Sequence, residues 1–260
     1  MPLKIATWNV NSILARLPTA LKVFEAVNAD VWCLQEIKCE DPRFPHLEFE
    51  AMGYNIETLG QKSYNGVALL SKHRVEETVR GVPGLNHDQA RYLEAVIAAP
   101  EGPVRVASIY APNGNPPDTD KFKLKIEFMD ALAAHARDLL KLEERTILAG
   151  DYNVIPRNED CWDPRAWEGD ALFRPETRAA YRSLLNLGYA DAYMQSDASA
   201  HTYTFWDYQA GAWAKDHGIR IDHLLLSPQA ADRLESVEIY KQARALEKAS
   251  DHVPIIATLG

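Results

Sequence analysis

Short apolar runs alternate with segments of helical spacing along the whole chain. Leu3–Val10 opens the series, and Val31–Leu34 is apolar without interruption, as expected of a strand covered on both faces. Gly66–Ser71, Val75–Val79, Tyr92–Ala98 and Val104–Tyr110 read as successive strands. Among these, Pro18–Val27 keeps Leu21, Phe24 and Val27 at helical spacing behind a proline suited to a first turn. Phe44–Met52 reads as a short helix stopped by Gly53. A longer helix, from about Lys121 to Leu142, carries Phe122, Ile126, Met129, Leu132 and Leu139 on its apolar side. The rhythm then restarts with a strand at Thr146–Ala149, a helix at Glu176–Leu187 ended by Gly188, and a strand at Arg220–Ser227. Ser227-Pro228 predicts an N-cap and first turn of a helix toward Leu234, and Val237–Tyr240 and Ile255–Leu259 close the chain as strands.

This alternation predicts an α/β fold. Gly66–Ser71 resembles Ile221–Ser227, a similarity too short to establish a repeat. No Gly/Ser-rich or charged linker separates the halves, so one domain over residues 1–260, built from two packed β-rich halves, is expected. Arg157–Arg174, irregular and rich in Trp and Asp, stands out as the loop of interest.

Composition narrows the class. Hydrophobic residues make up 47% of the 260 and charged residues 25%, which excludes a disordered chain. No signal or transit segment is visible before the first strand, and no apolar stretch approaches the roughly 18 residues of a membrane span. A cytoplasmic location is therefore expected. Cys33, Cys39 and Cys161 are odd in number and lack zinc spacing, so neither a disulfide framework nor a structural zinc is expected, and Cys33 reads as core. The net charge of −9 argues against tight, non-specific DNA binding, but global charge does not exclude a DNA enzyme with a local basic patch.

The candidate chemistry gathers where apolar runs end. Asn9 and Asn11 follow the first run, Glu36 the second, and Tyr110 and Asn113 the run from Val104; Asp151 and Asn153 follow Ile147–Gly150, and Asp251 and His252 precede the last strand. Hydrolysis of a phosphodiester needs a positioned divalent cation, an activated water and stabilised phosphate charge. Glu36 and Asp251 supply the hard oxygens that magnesium prefers, with the amide oxygen of Asn11 a weaker donor. Asp151 beside Asn153 can activate and hold a water; alternation would turn both to one side if the strand continues through them. Asp222 lies among apolar residues, where it would favour an imidazolium at His252, or else pair with Arg220 or face solvent. Taken singly, each has an ordinary reading: a strand-end carboxylate, an Asx turn, a backbone partner or a structural histidine. Together they point to an active site.

Trp8–Asn11, Leu34-Gln35-Glu36, Gly66–Ser71, Tyr110–Asn113, Gly150–Asn153, Tyr203–Tyr208, Arg220-Ile221-Asp222 and Ser250-Asp251-His252 occur in the order found in the exonuclease III family. The chain resembles this apurinic/apyrimidinic endonuclease branch of the endonuclease/exonuclease/phosphatase superfamily over residues 3 to 259. The resemblance implies a four-layered α/β sandwich, two mixed β-sheets packed face to face with helices outside and the site at one edge. It implies Glu36 as principal metal ligand with Asp251 and Asn11 nearby, and Mg²⁺ or Mn²⁺ as the cation. Asp151 would activate water or protonate the leaving group, oriented by Asn9. Asn153 would position the nucleophile, and Tyr110, Asn113 and His252 would hold the phosphate, with Asp222 orienting His252. Whether Asp151 or His252 is the base stays open. Phe205, Ile219 and Ile221 match positions that form an apolar pocket for a sugar lacking its base, a selection by shape; read alone, they are core residues.

The implied activity is incision 5′ to abasic sites in double-stranded DNA, with 3′→5′ exonuclease action and trimming of blocked 3′ ends. Departures from the family pattern are Asn11 where some relatives have Asp, Ile219 where some have Trp, and no basic side chain in Gly114–Pro117. Arg174, Arg178 and Arg182, four apart, form a basic stripe expected either to contact DNA phosphates or to pair with Glu176 and Asp170 as a solvated face. The rivals are a phosphoesterase acting on lipid or inositol phosphates and a catalytically silent DNA-binding scaffold. Phe205–Asp222 argues against the first and the full set of charges against the second. No partner membrane is implied, and nothing in the pattern demands a dimer, so a monomer is expected.

Overall fold

The computed structural model describes residues 2–196 and 199–260. Its strands are β1 (Leu3–Asn9), β2 (Val31–Gln35), β3 (Asn55–Leu59), β4 (Val67–Ser71), β5 (Val75–Arg80), β6 (Tyr92–Ile97), β7 (Val104–Tyr110), β8 (Thr146–Asp151), β9 (Ala190–Asp191), β10 (Asp222–Leu226), β11 (Leu234–Ile239) and β12 (Ile255–Leu259). They form two six-stranded sheets, ordered β11-β12-β1-β2-β4-β3 and β5-β6-β7-β8-β10-β9. In that order, each sheet has the same pairing: two antiparallel contacts, one parallel contact at the centre (β1 with β2, β7 with β8), then two antiparallel contacts. The similar segments Gly66–Ser71 and Ile221–Ser227 fall on β4 and β10, which hold equivalent places in the two sheets.

Strand alternation assigns the layers. Ile5, Val31, Cys33, Val67 and Leu69 of the first sheet meet Leu93, Val106, Ile147, Leu224 and Leu226 of the second in a core between the sheets. The opposite faces turn outward to helices. Ala6, Trp8, Trp32 and Leu70 pack on Phe24 of α1 (Leu17–Val27) and Phe49 of α2 (His46–Glu50). Phe24 stacks on Trp32 at 4.1 Å between centroids, a pair worth about 1 kcal/mol beyond its buried area. Ile109, Leu148 and Leu225 pack on Phe128, Met129 and Leu132 of α3 (Asp120–Leu140) and on Tyr181 and Leu184 of α4 (Pro175–Leu187). The result is the expected four-layered sandwich.

Several boundaries differ from the sequence pattern. β3 was hidden because Asn-Ile-Glu-Thr-Leu belongs to a sheet edge and alternates weakly. The helix expected over Phe44–Met52 is shortened to α2, His46–Glu50, and a 3₁₀ turn at Asp41–Arg43 precedes it. The helix opening at Ser227 makes one turn, Pro228–Ala231, and the final pair of strands starts at Leu234 rather than Val237. All three cysteines are free and buried. Among the described residues, no helix is long and apolar enough to cross a membrane.

Candidate active site

The two central parallel pairs end at the same edge of the sandwich, the arrangement that places functional groups outside carboxyl strand ends in open α/β sheets. Asn9 ends β1, Tyr110 ends β7, Asp151 ends β8, and Glu36 follows β2 directly. Gly150 lets β8 come this close to β7: a Cβ there would lie 1.9 Å from the carbonyl oxygen of Ile109.

One amide joins the sheets. Asn9 Nδ2 donates to Glu36 Oε1 at 2.8 Å and to Asp151 Oδ2 at 3.0 Å. Its own Oδ1 accepts the backbone N–H of Asn11 at 3.0 Å, which fixes the amide's orientation. Glu36 has left-handed backbone (φ 52°), as do Asn11 and Asn153, so three candidate residues sit where the chain turns sharply out of or beyond a strand.

Asp151 and Asp222 are register partners across β8 and β10. His252 lies between their side chains, with Nδ1 2.8 Å from Asp222 Oδ2 and Nε2 3.8 Å from Asp151 Oδ2. The imidazole is held from all sides: Trp8 Nε1 donates to the His252 carbonyl at 3.0 Å, Ser250 Oγ accepts the His252 N–H at 3.2 Å, and the Phe205 ring meets the imidazole edge-on at 4.9 Å. Asp222 is fully buried; its backbone and that of Ile221 donate to Thr204 Oγ1, while its Oδ1 has no partner. Arg220 does not neutralise it, because that guanidinium is committed to Asp160 at 2.9 Å and Asp191 at 2.8 Å.

These contacts set the charges. Burial disfavours an imidazolium at His252, but Asp222, then Asp151 and Asp251, outweigh it and push the pKa up to about 10. Burial raises Asp151 well above the ordinary carboxylate range, with the His252 charge opposing and Asp222 reinforcing that rise. Burial, then the carboxylates of Glu36 and Asp151, keep the Tyr110 phenol protonated. Burial works against charge at Glu36 too, yet the Asn9 amide and the Lys38 ammonium hold it below the usual range.

Two groups of oxygens could hold a cation. Asp151, Asp222 and His252 lie within 4.8 Å of one another, but an imidazolium has no lone pair to offer and its Nδ1 faces Asp222. The better seat is the row of Glu36, Asn11 and Asp251, all hard oxygen donors. Asn11 Nδ2 reaches Asp251 Oδ1 at 3.1 Å, and Lys38 Nζ rests 2.6 Å from Asn11 Oδ1 and 2.8 Å from Glu36 Oε2. The seat already attracts a positive charge, so the residues present fit a divalent cation.

On the other side of Asp151, the chain leaves the strand, so Asn153 does not continue the alternation. It is tied back instead: its N–H donates to Asp151 Oδ1 at 2.9 Å, its Nδ2 to the Ala111 carbonyl at 3.0 Å, and its Oδ1 accepts from Asn113 Nδ2 at 3.2 Å. A polar cleft of about 470 Å³ extends from Asn113 along Gln61, Asn65, Gln89 and Arg91. Phe205 is half-buried beside His252, whereas Ile219 and Ile221 are buried with Phe122, Ile155 and Leu172. Arg174 precedes α4 as its N-cap rather than lying within it, yet Arg174, Arg178 and Arg182 line one depression of about 640 Å³. Arg178 spans Ile155 and Asn158 and covers the Phe173 ring at 3.8 Å, and Arg174 reaches Asp118 and Glu176.

Three basic residues were not apparent from the sequence. Lys38 lies two residues past Glu36, a proximity that could have flagged it. Arg91 donates to the Tyr110 carbonyl at 3.2 Å and covers its ring at 4.6 Å, with no local signal in the sequence. Lys125 is buried on the apolar face of α3.

Residues 6–252 match the endonuclease/exonuclease/phosphatase family. Exodeoxyribonuclease III of Haemophilus influenzae is 33% identical, over 98% of this chain and 99% of its own length. The 3′ phosphatase NExo from Neisseria, solved with a product DNA hairpin, superposes with a TM-score of 0.95 at 35% identity over 99% of both chains. An AP endonuclease from Archaeoglobus fulgidus gives 0.94 at 32% identity, again over 99% of both.

Proposed function

The chain belongs to the endonuclease/exonuclease/phosphatase family, and on that premise we propose how its edge cluster hydrolyses DNA. It is a metal-dependent DNA-repair nuclease of the exodeoxyribonuclease III type, with abasic-site and 3′-end activities. The substrates are duplexes carrying an abasic site, cut on its 5′ side, or a blocked 3′ end. The protein acts as a monomer in the cytoplasm.

Asp151 is the base. His252 is held as imidazolium by Asp222 and cannot accept a proton near neutral pH, whereas a raised, buried carboxylate is poised to do so. Asn9 orients Asp151 through its hydrogen bond to Oδ2, and Asn153, bonded to Oδ1, positions the attacking water. The His252 imidazolium, the Tyr110 hydroxyl and the Asn113 amide donate to the phosphate oxygens as charge grows on them. Glu36, with Asn11 and Asp251, holds Mg²⁺ or Mn²⁺, which when bound supplies Lewis-acid stabilisation of the phosphate and leaving oxygen. Phe205, with Ile219 and Ile221 behind it, forms the wall against a sugar without its base. Arg174, Arg178 and Arg182 contact the DNA backbone beyond it.

What carries this reading is Asn9, one amide bonded at once to the Glu36 and Asp151 carboxylates from different sheets. The test is cleavage of a labelled duplex with one abasic-site analogue, with Mg²⁺ or EDTA, beside an undamaged duplex. Metal-dependent incision at the lesion is expected; stepwise shortening of both duplexes would make exonuclease the main activity, and cleavage of neither would remove the reading.

A further inference from the structure

Lys125 is a charged residue on the wrong face of its helix. It shares the inward side of α3 with Phe122, Phe128, Met129 and Leu132, and its exposure is 0%. Burial pushes its ammonium down to about 7, with Asp151 and Asp170 resisting that fall and Arg91 adding to it. A lysine in such a place is expensive unless its protons are accepted.

They are accepted by the two loops that carry candidate site amides. Nζ donates to the carbonyl of Asn113 at 3.0 Å and to the carbonyl of Asn153. The first loop follows β7, the second follows β8, and their side chains meet above, Asn113 Nδ2 on Asn153 Oδ1. Gly114 makes room for the lysine stem: at φ +86° it has left-handed backbone, and a Cβ there would lie 2.7 Å from Lys125 Cδ. A backbone carbonyl held by Nζ fixes where each residue's Cα and Cβ stand. From there the side-chain bonds of Asn113 Nδ2 to Asn153 Oδ1 and of Asn153 Nδ2 to the Ala111 carbonyl fix the amides.

We propose that Lys125 is a positioning residue for the reaction, clamping the Asn113 and Asn153 carbonyls from beneath and so setting how their amides meet phosphate and water. This rests on the roles given above to Asn113 and Asn153. The clamp does not touch substrate. Its removal therefore lowers kcat more than it raises KM, because the misplaced amides meet the phosphate and water chiefly as charge grows in the reaction.

The experiment compares wild type, Lys125→Met and Lys125→Arg on a 3′-phosphate-ended duplex with Mg²⁺, reading kcat, KM and the thermal melting midpoint. Methionine keeps the stem's bulk without donors; arginine keeps stem, charge and donors. Expected are a kcat at least tenfold lower in Lys125→Met with KM within threefold of wild type, and recovery of most of that loss in Lys125→Arg. Equal kcat in wild type and Lys125→Met, a change confined to KM, or no recovery with arginine would overturn the clamp. So would loss of the folded state at assay temperature in both variants, which would make Lys125 a structural residue alone. A wild-type protein that cleaved neither this duplex nor the abasic one would instead sink the nuclease reading, and the clamp's purpose with it.

Discussion

Asp151 and Asp222 face each other across β8 and β10, yet His252 gives them different charges to carry. Asp222 is in hydrogen-bond contact with the imidazole at 2.8 Å and forms a neutral ion pair with it. Asp151, a further ångström away at 3.8 Å, is left as the third charge in a buried pocket, where desolvation raises its pKa. In the proposed mechanism these two carboxylates on neighbouring strands divide into an orienting group, Asp222, and a base, Asp151.

Replacing Asp151 by Asn removes the base and keeps the shape, including acceptance of the Asn153 N–H. Turnover should fall by roughly 10²–10⁴-fold with the melting transition preserved. Wild-type-like turnover on the abasic duplex would refute the assigned role.

The pH profile of kcat should be bell-shaped. Activity requires Asp151 ionised, and its raised pKa places the acid limb above the ordinary aspartate range; it requires His252 protonated, so the alkaline limb lies near the imidazolium value of about 10. The same raised pKa has a stability consequence. The ion pair's contribution is fully present below the ordinary histidine value near 6.5 and is lost as pH rises through about 10. In Asp222→Asn, proton NMR of the His252 ring should show titration at lower pH than in wild type; an unchanged titration would break the link.

Glu36→Gln removes the one carboxylate next to Asn9 on the cation seat. Calorimetric affinity for Mn²⁺ should weaken at least about tenfold, and EDTA should abolish wild-type cleavage until Mg²⁺ or Mn²⁺ is restored. Unchanged Mn²⁺ affinity would move the cation away from Glu36, toward the Asp151–Asp222–His252 cluster.

Arg178 and Arg182 line the depression beside α4, so Arg178→Gln with Arg182→Gln should flatten the salt dependence of DNA binding. Each phosphate deprived of its arginine should lower the log–log slope by about 0.9. Because Arg178 also ties Ile155 to Asn158, Arg182→Gln alone is the cleaner probe. A slope equal to wild type in both would assign the stripe to a solvated face.

Phe205→Ala opens the wall beside His252. Discrimination between the abasic duplex and an undamaged one should fall, measured as the ratio of kcat/KM values; an unchanged ratio would place lesion selection elsewhere.

Much of the fold was legible because its strands are buried. Val31–Gln35 and Thr146–Asp151, covered on both faces, have runs that admit few alternatives. The edge strands Asn55–Leu59, with polar Glu57 and Thr58 side by side, and the two-residue Ala190–Asp191 were overlooked. Candidate site residues were legible for a related reason. Polar groups clustered where apolar runs stop are conspicuous, and Asn9, Glu36, Tyr110 and Asp151 all lie there. Lys125 and Arg91 were not, since one looks like a solvated helix residue and the other like a strand-flanking charge until their surroundings are known.

Local pattern and motif order by themselves determined the α/β class, the family and the set of chemical groups, because periodicity and residue type are properties of neighbours in sequence. Tertiary structure alone decided that Asn9 spans two sheets, that Asp222 serves His252 rather than Arg220, and that Lys38 and Lys125 stand within the cluster. Hydrogen-bond partners more than a hundred residues apart, and the desolvation that shifts a proton from one group to another, exist only once the two sheets have closed on each other.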